Sequence, residues 1–239
     1  MIRLGVTGTD TGVGKTTVAV ALLAVARGRG LQVAAMKPVE TGIDPASGTD
    51  ARRLAQAAGG GEPADVCPYG FGEPLAPLVA GRRAGRDVDL AVLDRAFARL
   101  AQGRDVVIVE GAGGLLVPLA PGTSYAELFE RWRLGVVVVA ENRLGALNHV
   151  LLTTRAAEAA GLAVRGVVLN AISEGEPDLA QRTNAATLAE LLPGVRVFQW
   201  PRLDEPLDMD LGPLAERTGL ATLLENGAVR AVERRPQPR

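Results

Sequence analysis

At the start of the chain, a short apolar run leads into a glycine-rich loop and then into a helix-like segment. No other pattern in the sequence limits the possible folds as strongly. The run Ile2–Thr7 is apolar and suited to a strand, the loop covers residues 8–17, and Lys15–Arg27 has an Ala/Leu-rich helical composition. Glycines let such a loop turn its backbone N–H groups inward, and the helix N-terminus adds a partial positive charge. This strand–loop–helix unit predicts a phosphate-binding loop in an α/β fold.

Individual residues of the loop have distinct expected roles. Lys15 is placed to reach the β- and γ-phosphates of a nucleoside triphosphate, and the Thr16 hydroxyl is placed to ligate its magnesium ion. A dinucleotide-binding fingerprint fits less well, because Gly12-Val13-Gly14 is not followed by the required third glycine. Gly8 precedes Gly14 by six residues, so the loop is one residue longer than the standard pattern. A glycine-rich turn without a ligand is the alternative.

The alternation of short apolar runs and helix-like segments continues along the chain. Several runs are apolar throughout, as strands covered on both faces must be. We therefore predict an α/β fold of the P-loop NTPase type, with a mostly parallel β-sheet flanked by helices on both faces. The predicted strands are Ile2–Thr7, Leu31–Met36, Asp105–Val109, Gly135–Ala140, Ala163–Leu169 and Val195–Trp200. The predicted helices are Lys15–Arg27, Ala51–Ala58, Leu90–Gln102, Ser124–Arg131, Ala146–Ala160 and Asp178–Leu192.

The chain shows no internal repeat and no linker that would divide it. The sequence therefore predicts a single domain over residues 1–224 and a flexible tail over residues 225–239, where prolines and arginines favour a frayed terminus over a binding arm. The segment Gly59–Gly85 is rich in glycine and proline, so it is expected to form a long excursion outside the sheet.

Composition limits the classes of partner and compartment. The net charge of −1 gives no electrostatic reason to expect a nucleic-acid partner. A single cysteine, Cys67, excludes an internal disulfide and a cysteine-based metal cluster, which favours the cytoplasm. No signal peptide is visible, and the longest apolar stretch, Leu134–Ala140, is too short to span a bilayer. We expect a soluble protein with no membrane partner.

Two acidic residues are candidates to complete a magnesium–nucleotide site. The strand Asp105–Val109 delivers Glu110 to its carboxyl end, where ligands of parallel sheets collect, and carboxylate oxygens suit Mg²⁺. The alternative role for Glu110 is a strand-end carboxylate in a turn. Asp50 precedes a helix-like segment, so capping of that helix is a serious alternative to metal binding.

Lys37 and His149 are the other side chains with candidate chemistry. Lys37 ends the second predicted strand and is followed by Pro38, so it is expected to point into the same crevice; a surface lysine is the alternative. His149 is the only histidine, and no Ser or Cys partner stands at a useful spacing, so a structural role is favoured over catalysis.

Five motifs occur in order between about residue 4 and residue 208. Each is moderately specific alone, but their joint order and spacing are very specific. The motifs are Gly8–Thr16 with its extra residue, Lys37-Pro38-Val39-x-Thr41-Gly42, Val109-Glu110-Gly111-Ala112-Gly113-Gly114, Leu144-Gly145-x-x-Asn148-His149, and Asn170 after the fifth strand. On these residues the chain resembles the dethiobiotin synthetases of the biotin pathway.

The resemblance implies a reaction in which 7,8-diaminopelargonic acid, CO2 and ATP give dethiobiotin, ADP and phosphate. A substrate carbamate attacks the γ-phosphate, and the resulting carbamic–phosphoric anhydride is closed to a ureido ring by the second amine. Catalysis of phosphoryl transfer rests on positioning and charge neutralisation, which Lys15 and Lys37 can supply on either side of the transferred group.

The resemblance also assigns site residues. Catalysis falls to Lys15, Lys37 and Thr11, and Mg²⁺ to Thr16, Asp50 and Glu110. The diamine is assigned to Thr41, Gly113, Leu144, Gly145, Leu147 and Asn148. ATP is assigned to Gly12, Val13, Gly14, Lys15, Thr16, Thr17, Asp50, Glu110, Gly111, Ala112, Gly113, Asn170, Pro201, Arg202, Leu203 and, with a less secure alignment, Asp208.

In the family, the helix start near Leu144–Asn148 of the partner subunit holds the substrate carboxylate, so the resemblance implies a homodimer with composite sites. His149 then has a neighbouring role. Two departures stand out: Gly12 replaces a glutamate of some members, and Glu141-Asn142-Arg143 is unusually charged for the carboxylate pocket.

Two other nucleotide-binding classes are the alternatives. Dimeric switch ATPases that partition DNA or position division sites usually carry an extra lysine near the start of the loop, where this chain has Thr9-Asp10-Thr11. The synthetase part of a cobyrinic-acid amidase would need a glutaminase domain with a nucleophilic cysteine, and Cys67 lies in the wrong place. The synthetase interpretation is therefore favoured.

Overall fold

The architecture was determined from a computed structural model that describes residues 1–43, 49–203 and 210–225. Ten strands occur in these ranges: β1 Ile2–Gly8, β2 Val33–Met36, β3 Val39–Thr41, β4 Tyr69–Phe71, β5 Val106–Gly114, β6 Pro118–Ala120, β7 Thr123–Ser124, β8 Gly135–Glu141, β9 Val164–Asn170 and β10 Arg196–Trp200. The α-helices described are α1 Lys15–Gly28, α2 Asp50–Ala57, α3 Pro63–Val66, α4 Pro77–Arg83, α5 Leu90–Ala101, α6 Tyr125–Arg131, α7 Ala146–Ala159, α8 Leu179–Leu191 and α9 Gly212–Arg217, followed by a 3₁₀ helix over Leu220–Leu224.

Six strands form a parallel central sheet in the order β10-β9-β8-β1-β5-β2. The strands are apolar on both faces because helices cover both. Val107 and Val109 face a core built with α5, α6, α7 and α8, whereas Val106 and Ile108 face a second core built with α1, α2 and α9. The predicted doubly covered α/β fold is confirmed.

The start of the chain lies in the middle of this sheet. Strand β1 pairs with β5 on one side and β8 on the other, with Val6 opposite both Glu110 and Val137. The loop that follows β1 therefore opens between the carboxyl ends of its neighbours, which is where parallel sheets bind ligands.

The expected end of the third strand was wrong. Strand β5 does not stop at Val109 but continues through Glu110 to Gly114, where Gly114 pairs with Gly8. The glycines suggested a turn, yet this backbone runs beside the extended end of β1. Glu110 thus lies within a strand and is completely buried.

The segment Gly59–Gly85 lies outside the central sheet as predicted, but it carries structure of its own. It contains α3, β4 and α4, and β4 pairs with β3. Tyr69 and Phe71 are buried and flank the exposed Gly70, a pattern of only three residues that is too short to be recognised from sequence. The pairing joins this segment to the strand that follows Lys37.

The described residues contain no helix that is both long enough and apolar enough to cross a membrane. The 3₁₀ helix Leu220–Leu224 is buried against the core. The predicted tail lies outside the described residues from residue 226 onward.

Candidate active site

The loop after β1 is held by short-range contacts and by one neighbouring strand. The Thr9 N–H donates to the Val139 carbonyl (2.9 Å), and the Thr11 N–H donates to the Asp10 carboxylate (2.7 Å). Lys15, the first residue of α1, folds back over the loop and donates through Nζ to the Asp10 carbonyl (2.8 Å). Its ammonium group is thus on the inner side of the loop, as a phosphate-binding lysine must be.

Gly14 is required by both backbone geometry and space. Its φ is +95°, and a Cβ at this position would come within 2.2 Å of Asn170 Nδ2. Asn170 ends β9 and donates through Nδ2 to the Val13 carbonyl (3.0 Å). The structure therefore brings the predicted adenine-binding residue Asn170 against the loop, although its contact with a base stays a prediction.

A buried ion cluster joins three elements beside the loop. Lys37, immediately after β2, donates through Nζ to Glu110 on β5 (2.5 Å) and to Asp50 at the start of α2 (2.7 Å). The Thr16 hydroxyl of α1 donates to the same Glu110 oxygen (2.9 Å). The sequence prediction that Lys37 points into the crevice is confirmed, and the surface-lysine alternative is wrong because Lys37 is only 3% exposed.

The pKa values in this cluster follow from its burial and from the two carboxylates that contact Lys37. Burial opposes a charged Lys37, but the adjacent Glu110 and Asp50 carboxylates outweigh it and raise the pKa of Lys37. Burial also opposes a charged Asp50, but the Lys37 ammonium outweighs it and lowers the pKa of Asp50 below its usual value. Burial raises the pKa of Glu110. Burial and the nearby Lys37 ammonium lower the pKa of Lys15 to about 8.

The same cluster supplies oxygen ligands of the kind that magnesium prefers. Thr16, Asp50 and Glu110 meet at one place, and Glu110 Oε2 is buried with no hydrogen-bond partner. No three His, Cys, Asp or Glu side chains in the described ranges are arranged to hold a metal unaided. The set therefore fits an ion that takes its remaining ligands from phosphates and water, as Mg²⁺ does at nucleotide sites.

The glycine-rich end of β5 forms another wall beside the loop. Gly113 has φ +65°, and a Cβ there would lie 3.6 Å from the Thr11 hydroxyl, so these two predicted residues are neighbours. The buried Tyr125 ring lies under Gly111, and Ala112 is half-buried beside it. Thr17 continues α1 and is half-buried.

A cavity of about 150 Å³ lies on the outer side of the loop. It is lined by loop residues that include Thr11 and Gly12, and across from them by Glu141, Arg143 and His149. Glu141 and Arg143 form an ion pair (3.1 Å), so the unusual charges before α7 neutralise each other. His149 lines this cavity, and its structural role stays a prediction.

The predicted carboxylate-binding residues surround the start of α7. Gly145 caps this helix with φ +91°, Leu147 is half-buried, and Leu144 and Asn148 are exposed. The structure thus places the start of α7 at the surface, and the partner-subunit role of Leu144, Gly145, Leu147 and Asn148 stays a prediction.

The remaining predicted residues are less closely gathered. Thr41 ends β3 and is half-buried. Pro201, Arg202 and Leu203 follow β10, and Arg202 donates to Glu174 (2.9 Å). Asp208 lies outside the described residues.

Three features escaped the sequence-based predictions. Glu40 on β3 is buried, and its carboxylate accepts hydrogen bonds from the backbone at the start of α2. Tyr125 is completely buried beneath the glycine-rich wall. A visible signal was also missed: Lys15 and Lys37 are the only lysines in the chain, and the other 24 of its 26 Lys and Arg residues are arginines.

Known proteins are similar to this chain over most of its length. The model of a family described as an AAA domain matches residues 3–201. An ATP-dependent dethiobiotin synthetase of Anaeromyxobacter dehalogenans (strain 2CP-1) is 49% identical over 192 residues, which cover 80% of this chain and 86% of that protein. The protein of the same name from Aquifex aeolicus is 39% identical over 222 residues, covering 92% of this chain and 96% of that protein.

A third relative with this name, from Pseudomonas aeruginosa (strain UCBPP-PA14), is 39% identical and covers 87% of this chain and 96% of that protein. Among solved structures, a nucleotide-binding protein in complex with ADP from Archaeoglobus fulgidus overlaps with a TM-score of 0.47 at 17% identity, covering 95% of this chain and 89% of that chain. Similarity at that level carries no conclusion about function. The identity and coverage of the curated relatives show that this chain belongs to the ATP-dependent dethiobiotin synthetase family.

Proposed function

We propose that this chain uses Mg–ATP and CO2 to close a ureido ring on 7,8-diaminopelargonic acid, giving dethiobiotin, ADP and phosphate. Family membership supports an ATP-dependent ligase of biotin biosynthesis. The observation that carries the finer proposal is the placement of the chain's only two lysines, both buried, beside the phosphate loop and the Glu110–Asp50 pair.

The first chemical step is formation of a carbamate. One substrate amine attacks the carbon of CO2 and loses a proton, giving a carbamate anion. The groups proposed to orient the diamine are Thr11, Thr41 and the backbone near Gly113. Thr11 and Gly113 are neighbours, and Thr41 is the last residue of β3, the strand that follows Lys37. Orientation of this kind replaces an improbable encounter by a reaction within one complex.

The second step is phosphoryl transfer to the carbamate. A carbamate oxygen attacks the γ-phosphorus, and the bond from phosphorus to the ADP oxygen breaks. The anionic carbamate and the phosphate repel each other, so two cations fixed at the same site lower the barrier. Lys15 on the loop and Lys37 beside the carboxylates are proposed to provide them.

The third step closes the ring. The second amine attacks the carbonyl carbon of the carbamic–phosphoric anhydride, the carbon–oxygen bond to phosphate breaks, and phosphate leaves with its electron pair. The amine nitrogen loses a proton as the ureido ring forms. The buried surroundings of Glu110 and Tyr125 would limit access of water to the anhydride on that side.

Thr16, Asp50 and Glu110 are the residues proposed to hold magnesium. When bound there, the ion would neutralise charge on the β- and γ-phosphate oxygens. The adenine is proposed to lie near Asn170 and Pro201-Arg202-Leu203, with backbone contacts from the loop and from residues 111–113.

A homodimer with composite sites is proposed to complete the carboxylate end of the substrate site. The start of α7 is exposed at Leu144, Gly145 and Asn148, and no side chain of the described residues caps it; helix starts of this kind bind carboxylates. The proposed enzyme acts on small molecules in the cytoplasm, without nucleic-acid or membrane partners.

Diamine-dependent phosphate release tests the proposal. With bicarbonate and Mg–ATP present, release should rise steeply when 7,8-diaminopelargonate is added and should stay near background without it. Phosphate release at the same rate without the diamine would instead support a switch ATPase. Omission of magnesium should abolish release if Thr16, Asp50 and Glu110 act as proposed.

A further inference from the structure

Glu40 is a buried carboxylate that belongs to none of the roles described so far. It lies in the middle of β3 and is 7% exposed. Its Oε1 accepts a hydrogen bond from the Asp50 N–H (2.6 Å), and its Oε2 accepts one from the Ala51 N–H (3.2 Å). Both oxygens of one carboxylate therefore hold the first two residues of α2.

Two side chains accept hydrogen bonds from the N–H groups at the start of α2. Glu40 takes those of Asp50 and Ala51, and the N-cap Thr49 accepts from the third, that of Arg52 (3.1 Å). Free N–H groups at a helix start must be satisfied, and a carboxylate there is also favoured by the helix dipole. Thr49 supplies the ordinary local cap, whereas Glu40 reaches in from another element.

The contact from Glu40 fixes Asp50 from a second direction. Asp50 Oδ2 is held by Lys37 Nζ (2.7 Å), while the backbone of the same residue is held by Glu40. Lys37 and Glu40 are three residues apart, and the Lys37 N–H is itself anchored to the Val66 carbonyl (3.0 Å). The short stretch from Lys37 to Glu40 therefore holds both the side chain and the backbone of Asp50. Together these two contacts fix the position of the Asp50 carboxylate.

A direct metal-ligand role for Glu40 fits the structure less well. Both of its oxygens already accept backbone N–H groups, whereas Glu110 Oε2 is buried without a partner. Groups that hold a metal ligand in place commonly matter almost as much to affinity as the ligands themselves.

We propose that Glu40 is a positioning residue for the magnesium–nucleotide complex, acting by holding the backbone of Asp50. This inference rests on the proposed function, because it assumes that Asp50 is a metal ligand. It predicts that loss of Glu40 weakens metal binding more than it weakens the fold.

The test measures Mn²⁺ affinity in the presence of ATP by electron paramagnetic resonance, with Mn²⁺ as the probe for Mg²⁺. Glu40→Ala should bind Mn²⁺ about 10- to 100-fold more weakly than wild type. Thr49→Ala is the matched control, because it removes the other cap of α2 without touching the Asp50 N–H. It should lower the melting temperature but leave Mn²⁺ affinity within about twofold.

Turnover gives a second measurement that a purely structural role would not move. Glu40→Ala should need a correspondingly higher Mg²⁺ concentration for half-maximal activity, and saturating Mg²⁺ should restore part of kcat. If Glu40→Ala does not fold, Glu40→Gln decides, because its amide NH₂ would face one of the two N–H donors. That variant should weaken Mn²⁺ binding at least about threefold.

The outcomes separate this inference from the proposed function. Wild-type Mn²⁺ affinity in folded Glu40→Ala or Glu40→Gln would overturn the role of Glu40 alone. Equal losses in Glu40→Ala and Thr49→Ala would also overturn it, because α2 stability would then explain both. Wild-type protein that binds no Mn²⁺ with ATP would contradict the proposed nucleotide site itself.

Discussion

The two lysines of this chain have opposite electrostatic surroundings although they belong to one site. Lys37 contacts two carboxylates, whereas Lys15 contacts a backbone carbonyl and lies near the Lys37 ammonium. Arginine serves at every other basic position of the chain. A lysine presents a compact point charge on a flexible stem, which suits a phosphate oxygen in a narrow site better than a planar guanidinium does. The residue types at positions 15 and 37 therefore suit the roles proposed for them.

Replacement of Lys37 by Gln should abolish most turnover while retaining nucleotide binding. The loop and Lys15 would still hold ATP, but one of two cations facing the transferred group would be lost, which is expected to lower kcat about 10²- to 10³-fold. The variant should also melt at a lower temperature, since Glu110 would remain buried without its cation. Nucleotide titration calorimetry on protein shown to be folded, together with product assays, measures both effects.

Arg53→Gln is the matched control for this variant. Arg53 also approaches Asp50 (3.8 Å), but from an exposed position, so its loss should change kcat less than about twofold. Turnover of Lys37→Gln at the wild-type rate would remove Lys37 from the catalytic set.

Lysine-directed reagents should distinguish Lys15 from Lys37. Only the neutral amine reacts, and burial beside Lys37 lowers the pKa of Lys15 to about 8, while the carboxylates raise that of Lys37. Acetylation of Lys15 by acetic anhydride should therefore rise with pH and level off above about pH 8, whereas Lys37 should stay unmodified. Peptide mass spectrometry separates these sites from the N-terminal amine. Mg–ATP should protect Lys15, and equal modification of both lysines would contradict the assigned charges.

The positions of strands and helices could largely be predicted from sequence. The pairing of distant segments and the end of one strand could not. Long apolar runs and Ala/Leu-rich segments placed β1, β8 and α1 correctly within a residue or two. The β3–β4 pair was missed because its register depends on contacts between segments far apart in sequence. The continuation of β5 past Glu110 was missed because glycines suggested a turn.

The candidate site shows the same division. The phosphate loop, Glu110 and Lys37 could be predicted from motifs. Each lies within a strand of recognisable pattern or directly after one. Sequence left Asp50 open between helix cap and metal ligand. In the structure Thr49 is the N-cap of α2. Asp50 is the first residue of that helix, and its carboxylate contacts Lys37 and Thr16. Glu40 was not predicted, because only the tertiary fold brings it to α2.

The junction of β1, α1 and β9 should not tolerate a side chain at Gly14. Gly14→Ala would place a Cβ at φ +95° and 2.2 Å from Asn170 Nδ2, so the unfolding free energy should fall by about 1–3 kcal/mol and ATP affinity should drop. Gly28→Ala, at the other end of α1 with nothing within 4 Å of the new Cβ, should be neutral or stabilise by up to about 1 kcal/mol. Chemical denaturation measures both, and equal effects of the two substitutions would contradict the described junction.

Several large apolar side chains lie exposed on the surface of the molecule. Leu144 and Leu152, just before and within α7, are 78% and 62% exposed, and Leu116 after β5 is 63% exposed. Exposed leucines near the start of α7 are consistent with the proposed homodimer, in which that helix start would serve the site of the second copy.

Composite sites predict that two inactive variants restore activity to each other. Lys37→Gln disables the phosphate end of a site, and Asn148→Asp would repel the substrate carboxylate at the α7 start. Co-expression should yield mixed dimers with one intact site, giving about a quarter of wild-type activity. Dimers purified by two different tags report the mixed species directly. Activity no higher than that of the separate variants would place both halves of the site in one chain.

The reaction proposed for this chain forms the ureido ring with carbon from CO2 and consumes ATP. The most direct measurement incubates the purified protein with 7,8-diaminopelargonate, ¹³C-bicarbonate and Mg–ATP and examines the products by mass spectrometry. We expect dethiobiotin carrying one ¹³C atom, formed in equal amount with ADP and phosphate and absent when ATP is omitted. ATP hydrolysis without labelled dethiobiotin would contradict the proposed function.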